Sequence, residues 1–233
     1  VTANNVINEL QKYASDVDAA NLQWFFKTGP GEYGEGDQFI GVRMPAIHKV
    51  CKEFKNLPLN EIKELIENPI HEHRMAGLIL LRMQYPKSKD KQAIYDLYID
   101  ELAKGRVNNW DFVDVTCQAV VGEHLRHNRA KLFELAKSDN LWERRVAIIA
   151  TFPYIASDDP TTSLELAELL LHDQHDLMHK AVGWTLREVG KRCDEALLID
   201  FLDQHATEMP RTALRYAIEK LDDKTRAYYL KLR

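Results

Sequence analysis

In the stretch NNWDFVDVT, residues 108–116, Trp110 and Asp114 stand four positions apart, an aromatic and a carboxylate that can act on one ligand. On a helix that spacing places the two side chains on one side, a turn apart. At about 100° per residue, Val113, Cys117, Val120 and Val121 mark an apolar arc with Trp110 inside it, Asp114 at its edge and Asp111 pointing elsewhere. A carboxylate so placed loses hydration and needs a cation to stay ionised, and Arg145, in LWERRVAII, is a suitable neighbour. Two uses are open. Asp114 can lock adjacent segments through a salt bridge, or it can hold negative charge ready for positive charge that develops in a transition state. Trp184, in HKAVGWTLRE, adds a second indole, and two aromatic faces with one carboxylate suit a cationic ligand. A place in the core is the commoner fate of a tryptophan.

Helices must carry these residues. The prolines and glycines fall mostly between apolar-periodic stretches, and runs of alternating β-branched residues are nearly absent, so the chain reads as all-α. The breakers NLPLN, QYPKSKD, KSDN, ASDDP and EMP separate the stretches, and several supply Ser, Asp or Asn for a helix N-cap. The segments EHRMAGLILL, NWDFVDVTCQ, WERRVAIIAT, MHKAVGWTLR and MPRTALRYAI align as a faint repeat, spaced near the length of a two-helix solenoid unit. The expected architecture is one domain over 1–233, a right-handed α-solenoid of stacked helix pairs with a concave face. Arg74, Asp111, Arg144, Arg145, Lys180, Arg211 and Arg215 open the repeated segments and are expected to project from that face. Several cations on one curved face can hold a phosphate backbone; the alternative is that they are solvated or pair with Glu64, Glu72 or Glu143.

The net charge of −5 excludes a molecule coated in positive charge, so an anionic partner must be met locally. Cys51, Cys117 and Cys193 lie far apart without a CxxC pair, as reduced packing thiols would. Neither a signal segment nor an apolar run of membrane-spanning length is read, which leads to the expectation of a cytoplasmic protein. Two motifs look like sites. Gly29, Gly31 and Gly34 in TGPGEYGEGDQF satisfy G-x-G-x-x-G, but the helix end NLQWFFK precedes them where a nucleotide fold needs a strand, so a tight loop against the first helices is expected. His172, His175 and His179 mimic zinc spacing, yet LHDQHD reads as one helix ending and the next being capped. Neither metal nor cofactor is expected.

WDFVD, LWERRVAII and HKAVGWTLREVGK together resemble the AlkD-type family of DNA alkylation-repair glycosylases, a likeness running from FIGVRMP through MPRTALRYAIEKL. The resemblance implies HEAT-like repeats that wrap duplex DNA and hydrolyse the N-glycosidic bond of cationic alkylpurines such as 3-methyladenine and 7-methylguanine. It places the catalytic aspartate at Asp114, its partner arginine at Arg145 and the lesion-side tryptophans at Trp110 and Trp184. Arg43, Arg74, Arg144, Lys180, Arg211 and Arg215 are the DNA-binding candidates of a monomer associated with the nucleoid when bound. The chain departs from the family around Arg43 and Met44 and in the glycine-rich insertion before them. Two rival readings are a non-catalytic DNA-binding relative and a HEAT-type protein-interaction scaffold.

Overall fold

The computed structural model describes residues 1–232. Their regular elements are helices; among the described residues the only β-type pairing is an isolated parallel bridge between Gln38 and Ile70. The breakers end helices as their chemistry requires. Asp90 caps the helix after QYPKSKD by accepting from the Ala93 amide at 3.0 Å, and Asn140, closing KSDN, accepts from Trp142 at 2.9 Å.

The chain clusters into two compact units, Val1–Val120 and Val121–Arg233. The first contains α1 (Ala3–Gln11), α2 (Asp16–Phe25), α3 (Met44–Glu53), α4 (Leu59–Ile66), α5 (His71–Gln84), α6 (Lys91–Ala103) and α7 (Trp110–Cys117). Helix α5 is its axis: every residue from His71 to Leu81 is buried, and α3, α4 and α7 pack on it. Gly77 permits the approach of α4, since a Cβ there would lie 3.1 Å from the Ile62 carbonyl oxygen and closer still to the Ile66 side chain. Four polar residues, His71, Glu72, His73 and Arg74, open this buried helix. Burial of that many polar groups requires partners from elsewhere, and the loop 26–43 supplies most of them.

The second unit contains α8 (Ala130–Ala136), α9 (Leu141–Ile149), α10 (Phe152–Ile155), α11 (Thr161–Leu169), α12 (Asp176–Arg192), α13 (Glu195–His205), α14 (Arg211–Ala217) and α15 (Asp223–Lys231). Its long helix α12 packs on α9, α11, α13 and α14. Gly183 makes the α14 contact possible, because a Cβ there would come within 2.3 Å of the Ala213 carbonyl oxygen.

Candidate functional site

Helix α7 begins at Asn109, whose side chain accepts from the Trp110 amide at 2.8 Å. The apolar arc read from the sequence is real: Val113, Cys117, Val120 and Val121 are all fully buried. Asp114 is half-buried. Behind it Thr116 donates to the Phe112 carbonyl at 2.5 Å, which uses its one proton, so the Tyr98 hydroxyl, 3.1 Å away, must donate to Thr116. Burial pushes the Tyr98 phenol well above its ordinary range, and the negative charge of Asp114 adds to that.

Trp110 is gripped on several sides. Its ring stacks on Phe26 with centroids 5.3 Å apart and meets Phe25 edge-on at 6.0 Å. The indole N–H donates to the Tyr33 hydroxyl at 3.2 Å. Tyr33 lies in the glycine-rich stretch, which forms the expected tight loop. A Cβ at Gly34 would come within 2.4 Å of the Phe26 carbonyl oxygen, and Gly41, at φ +80°, within 2.0 Å of the Ser15 carbonyl oxygen. A tight loop at Gly34 is what the sequence leads one to expect; the placing of Tyr33 and Phe26 against Trp110 and the close approach at Gly41 are not visible in it.

The same loop is tied to α5. The Glu72 carboxylate accepts three successive backbone amides, from Ile40 at 3.1 Å, Gly41 at 2.8 Å and Val42 at 3.1 Å. His71 lies between two carboxylates: Nδ1 is 2.7 Å from Asp37 and Nε2 is 2.8 Å from Asp111. Phe39 and Phe112 stack on its ring, with centroids at 4.5 and 4.2 Å. Arg74 pairs with Asp37 and donates to Asn108 at 2.9 Å. Burial pulls the Arg74 guanidinium down to about 10, against the opposing charge of Asp111, which leaves it cationic at neutral pH.

These contacts correct two expectations. Arg74 and Asp111 do not project from a face of the protein: Arg74 is 5% exposed, and Asp111 is turned onto His71. Arg43 is exposed, as a DNA contact requires, but forms a two-pronged pair with Asp18 at 2.9 and 2.6 Å.

In the second unit, Arg144 and Arg145 open α9 and behave differently. Arg144 pairs with Asp173 at 2.6 Å and donates to the Ser138 and Asp139 carbonyls. Arg145 is buried and donates to the Leu177 carbonyl at 2.5 Å, which ties α9 to the start of α12. Lys180 pairs with Asp176 one turn before it at 2.7 Å. Arg211 and Arg215 are exposed on α14, and Arg211 also donates to the Leu230 carbonyl at 2.9 Å. Trp184 is half-buried and edge-on to Phe152, centroids 4.6 Å apart. Arg144 and Lys180 thus pair with aspartates, and Arg144, Arg145 and Arg211 donate to backbone carbonyls.

LHDQHD does end one helix and cap the next: His175 is the N-cap of α12, its Nδ1 accepting from the Leu177 amide at 3.1 Å. His179 Nε2 lies 2.5 Å from the Asp173 carbonyl. Among the described residues no group of three His, Cys, Asp or Glu is placed to hold a metal, and no helix is long and apolar enough to cross a membrane.

A helical framework carrying a half-buried carboxylate beside a clamped indole is the setting in which the comparisons with known proteins take their meaning. The model of a family described as DNA alkylation repair enzyme matches residues 6–221. The chain belongs to that family. Among solved structures, a predicted DNA alkylation repair enzyme from Enterococcus faecalis is similar, with a TM-score of 0.70 and 16% sequence identity, over 90% of this chain and 97% of that one. At that identity the likeness speaks for a shared fold. No curated protein matched the sequence.

Proposed function

We propose that the protein is a DNA glycosylase that hydrolyses the N-glycosidic bond of cationic alkylpurines, such as 3-methyladenine and 7-methylguanine, in duplex DNA. The observation that carries this reading is Asp114, half-buried on α7 one turn from an indole fixed by Phe26 and Tyr33. An N3- or N7-alkylated purine already bears positive charge. When the bond from its nitrogen to C1′ breaks, the electron pair stays on the purine, which leaves neutral and needs no general acid. One carboxylate then suffices where glycosidases ordinarily use two. Asp114 stabilises the sugar as it acquires oxocarbenium character and takes the proton of the water that adds to C1′. The face of Trp110 favours a cationic substrate over a neutral one.

Arg145 as the partner of Asp114 and Trp184 as a second lesion-side indole rest on residue type and the family resemblance. Arg43, Lys180, Arg211, Arg215 and Arg144 are the proposed phosphate contacts. Arg43, Lys180, Arg211 and Arg144 each have a carboxylate or carbonyl partner to exchange for phosphate. Arg74 drops out of the set because it is buried against Asp37. We place the reaction in the cytoplasm, carried out by a monomer.

The test is excision from matched duplexes at one salt concentration, comparing 7-methylguanine and 3-methyladenine with a bulkier cationic N7 adduct and with the neutral lesions hypoxanthine and ethenoadenine. Removal of the cationic lesions, large ones included, is expected, with very slow action on the neutral pair. Efficient removal of neutral lesions with failure on bulky cationic ones would indicate an enclosing base pocket and overturn the charge-selective reading.

A further inference from the structure

The cluster around His71 has no part in the chemistry above, yet it sits directly behind the helix that carries it. Asp37 and Asp111 offer the ring only acceptor oxygens when ionised, and they occupy both ring nitrogens at 2.7 and 2.8 Å. The charged groups facing the ring are Asp37 from the loop, Asp111 from α7 and Arg74 from its own helix, and Arg74 is paired with Asp37. Glu72, the next residue, is directed to the Ile40–Val42 amides. The His71 ring therefore bridges Asp37 on the loop to Asp111 on α7. Asp111 is in the first turn of α7, between Trp110 and Asp114, and its other oxygen accepts from the Phe112 amide at 2.9 Å.

We propose that His71, held between Asp37 and Asp111, is a positioning residue that fixes the first turn of α7, and with it Trp110 and Asp114, against the loop 26–43. This rests on the glycosylase reading for its effect on catalysis, but not for its effect on Trp110. The ring is clamped by Phe39 and Phe112, so it cannot follow Asp111 if that contact opens. Small displacements of a reacting group are costly, on the order of 100-fold in rate for about 1 Å.

The test combines NMR of the free protein with single-turnover excision. In His71→Gln the Trp110 indole N–H resonance should move, and excision of 7-methylguanine should fall at least about 10-fold with duplex affinity nearly unchanged. Asp111→Ala removes the same contact from the α7 side and should give the same two changes. An unmoved Trp110 resonance in a folded His71→Gln protein overturns the proposal. Should that variant not fold, Asp111→Ala decides by the same readouts. A wild type that excises nothing would sink the glycosylase reading alone, because the NMR signals are read without DNA.

Discussion

The indole of Trp110 donates to the hydroxyl of Tyr33 at 3.2 Å, so a residue of the glycine-rich loop holds a side chain beside the candidate catalytic carboxylate. Tyr33→Phe removes that acceptor and leaves the ring. It should cost about 1 kcal/mol of stability, the net worth of an ordinary hydrogen bond, and should lower excision by loosening Trp110. Chemical denaturation and single-turnover kinetics on the same variant check both.

The sequence showed the all-helical class, the helix breaks and the apolar arc of α7, because these depend on local periodicity and capping. The Tyr33 contact joins residues 77 apart in the chain, and the His71 contacts with Asp37 and Asp111 join residues 34 and 40 apart; no periodicity reports that. The burial of Arg74 and the turn of Asp111 onto His71 are hidden for the same reason. A charged residue opening a helix looks identical whether it meets solvent or a buried Asp37. One signal was available: HEHR leads into MAGLILL without a polar face, which marks a helix buried from its first turn and polar groups in need of partners.

Arg74 and Arg215 should therefore part company on mutation. Arg74→Ala leaves Asp37 buried beside His71 alone, and the loss of one partner of a buried pair costs about 3–5 kcal/mol. Arg215→Ala on the exposed face of α14 should change stability by no more than about 0.5 kcal/mol. If Arg215 meets a phosphate, its loss lowers the slope of log affinity against log salt by about 1. Thermal unfolding and duplex titration over a salt series distinguish the two; an affinity flat in salt for the wild type would favour a protein scaffold.

Burial alone pulls His73 from its ordinary 6.5 down to about 4. The folded protein then holds this ring neutral where the unfolded chain would protonate it. Stability from this group is full above about 6.5 and is lost progressively as pH falls toward about 4. Denaturant midpoints measured between those values should decline with acid, and His73→Gln should flatten that part of the curve.

Gly41→Ala should destabilise the first unit. The position has φ +80°, and an added Cβ would lie 2.0 Å from the Ser15 carbonyl oxygen and 2.6 Å from the Ala19 amide nitrogen. The backbone cost alone is about 1–3 kcal/mol, and relief by shifting the loop would disturb the Glu72 contacts with Ile40–Val42. A lower melting temperature with faster proteolysis within 26–43 is the expected outcome.

The central claim is that Asp114 supplies the charge for breaking a glycosidic bond, and the most direct measurement is release of free 7-methylguanine from methylated duplex by the wild type and by Asp114→Asn. The amide keeps the shape of the side chain and removes its negative charge. Release by the wild type, with a loss of at least about 100-fold in a variant that folds and binds duplex normally, is the predicted result. Near-wild-type release by Asp114→Asn would contradict it and move the chemistry to another residue.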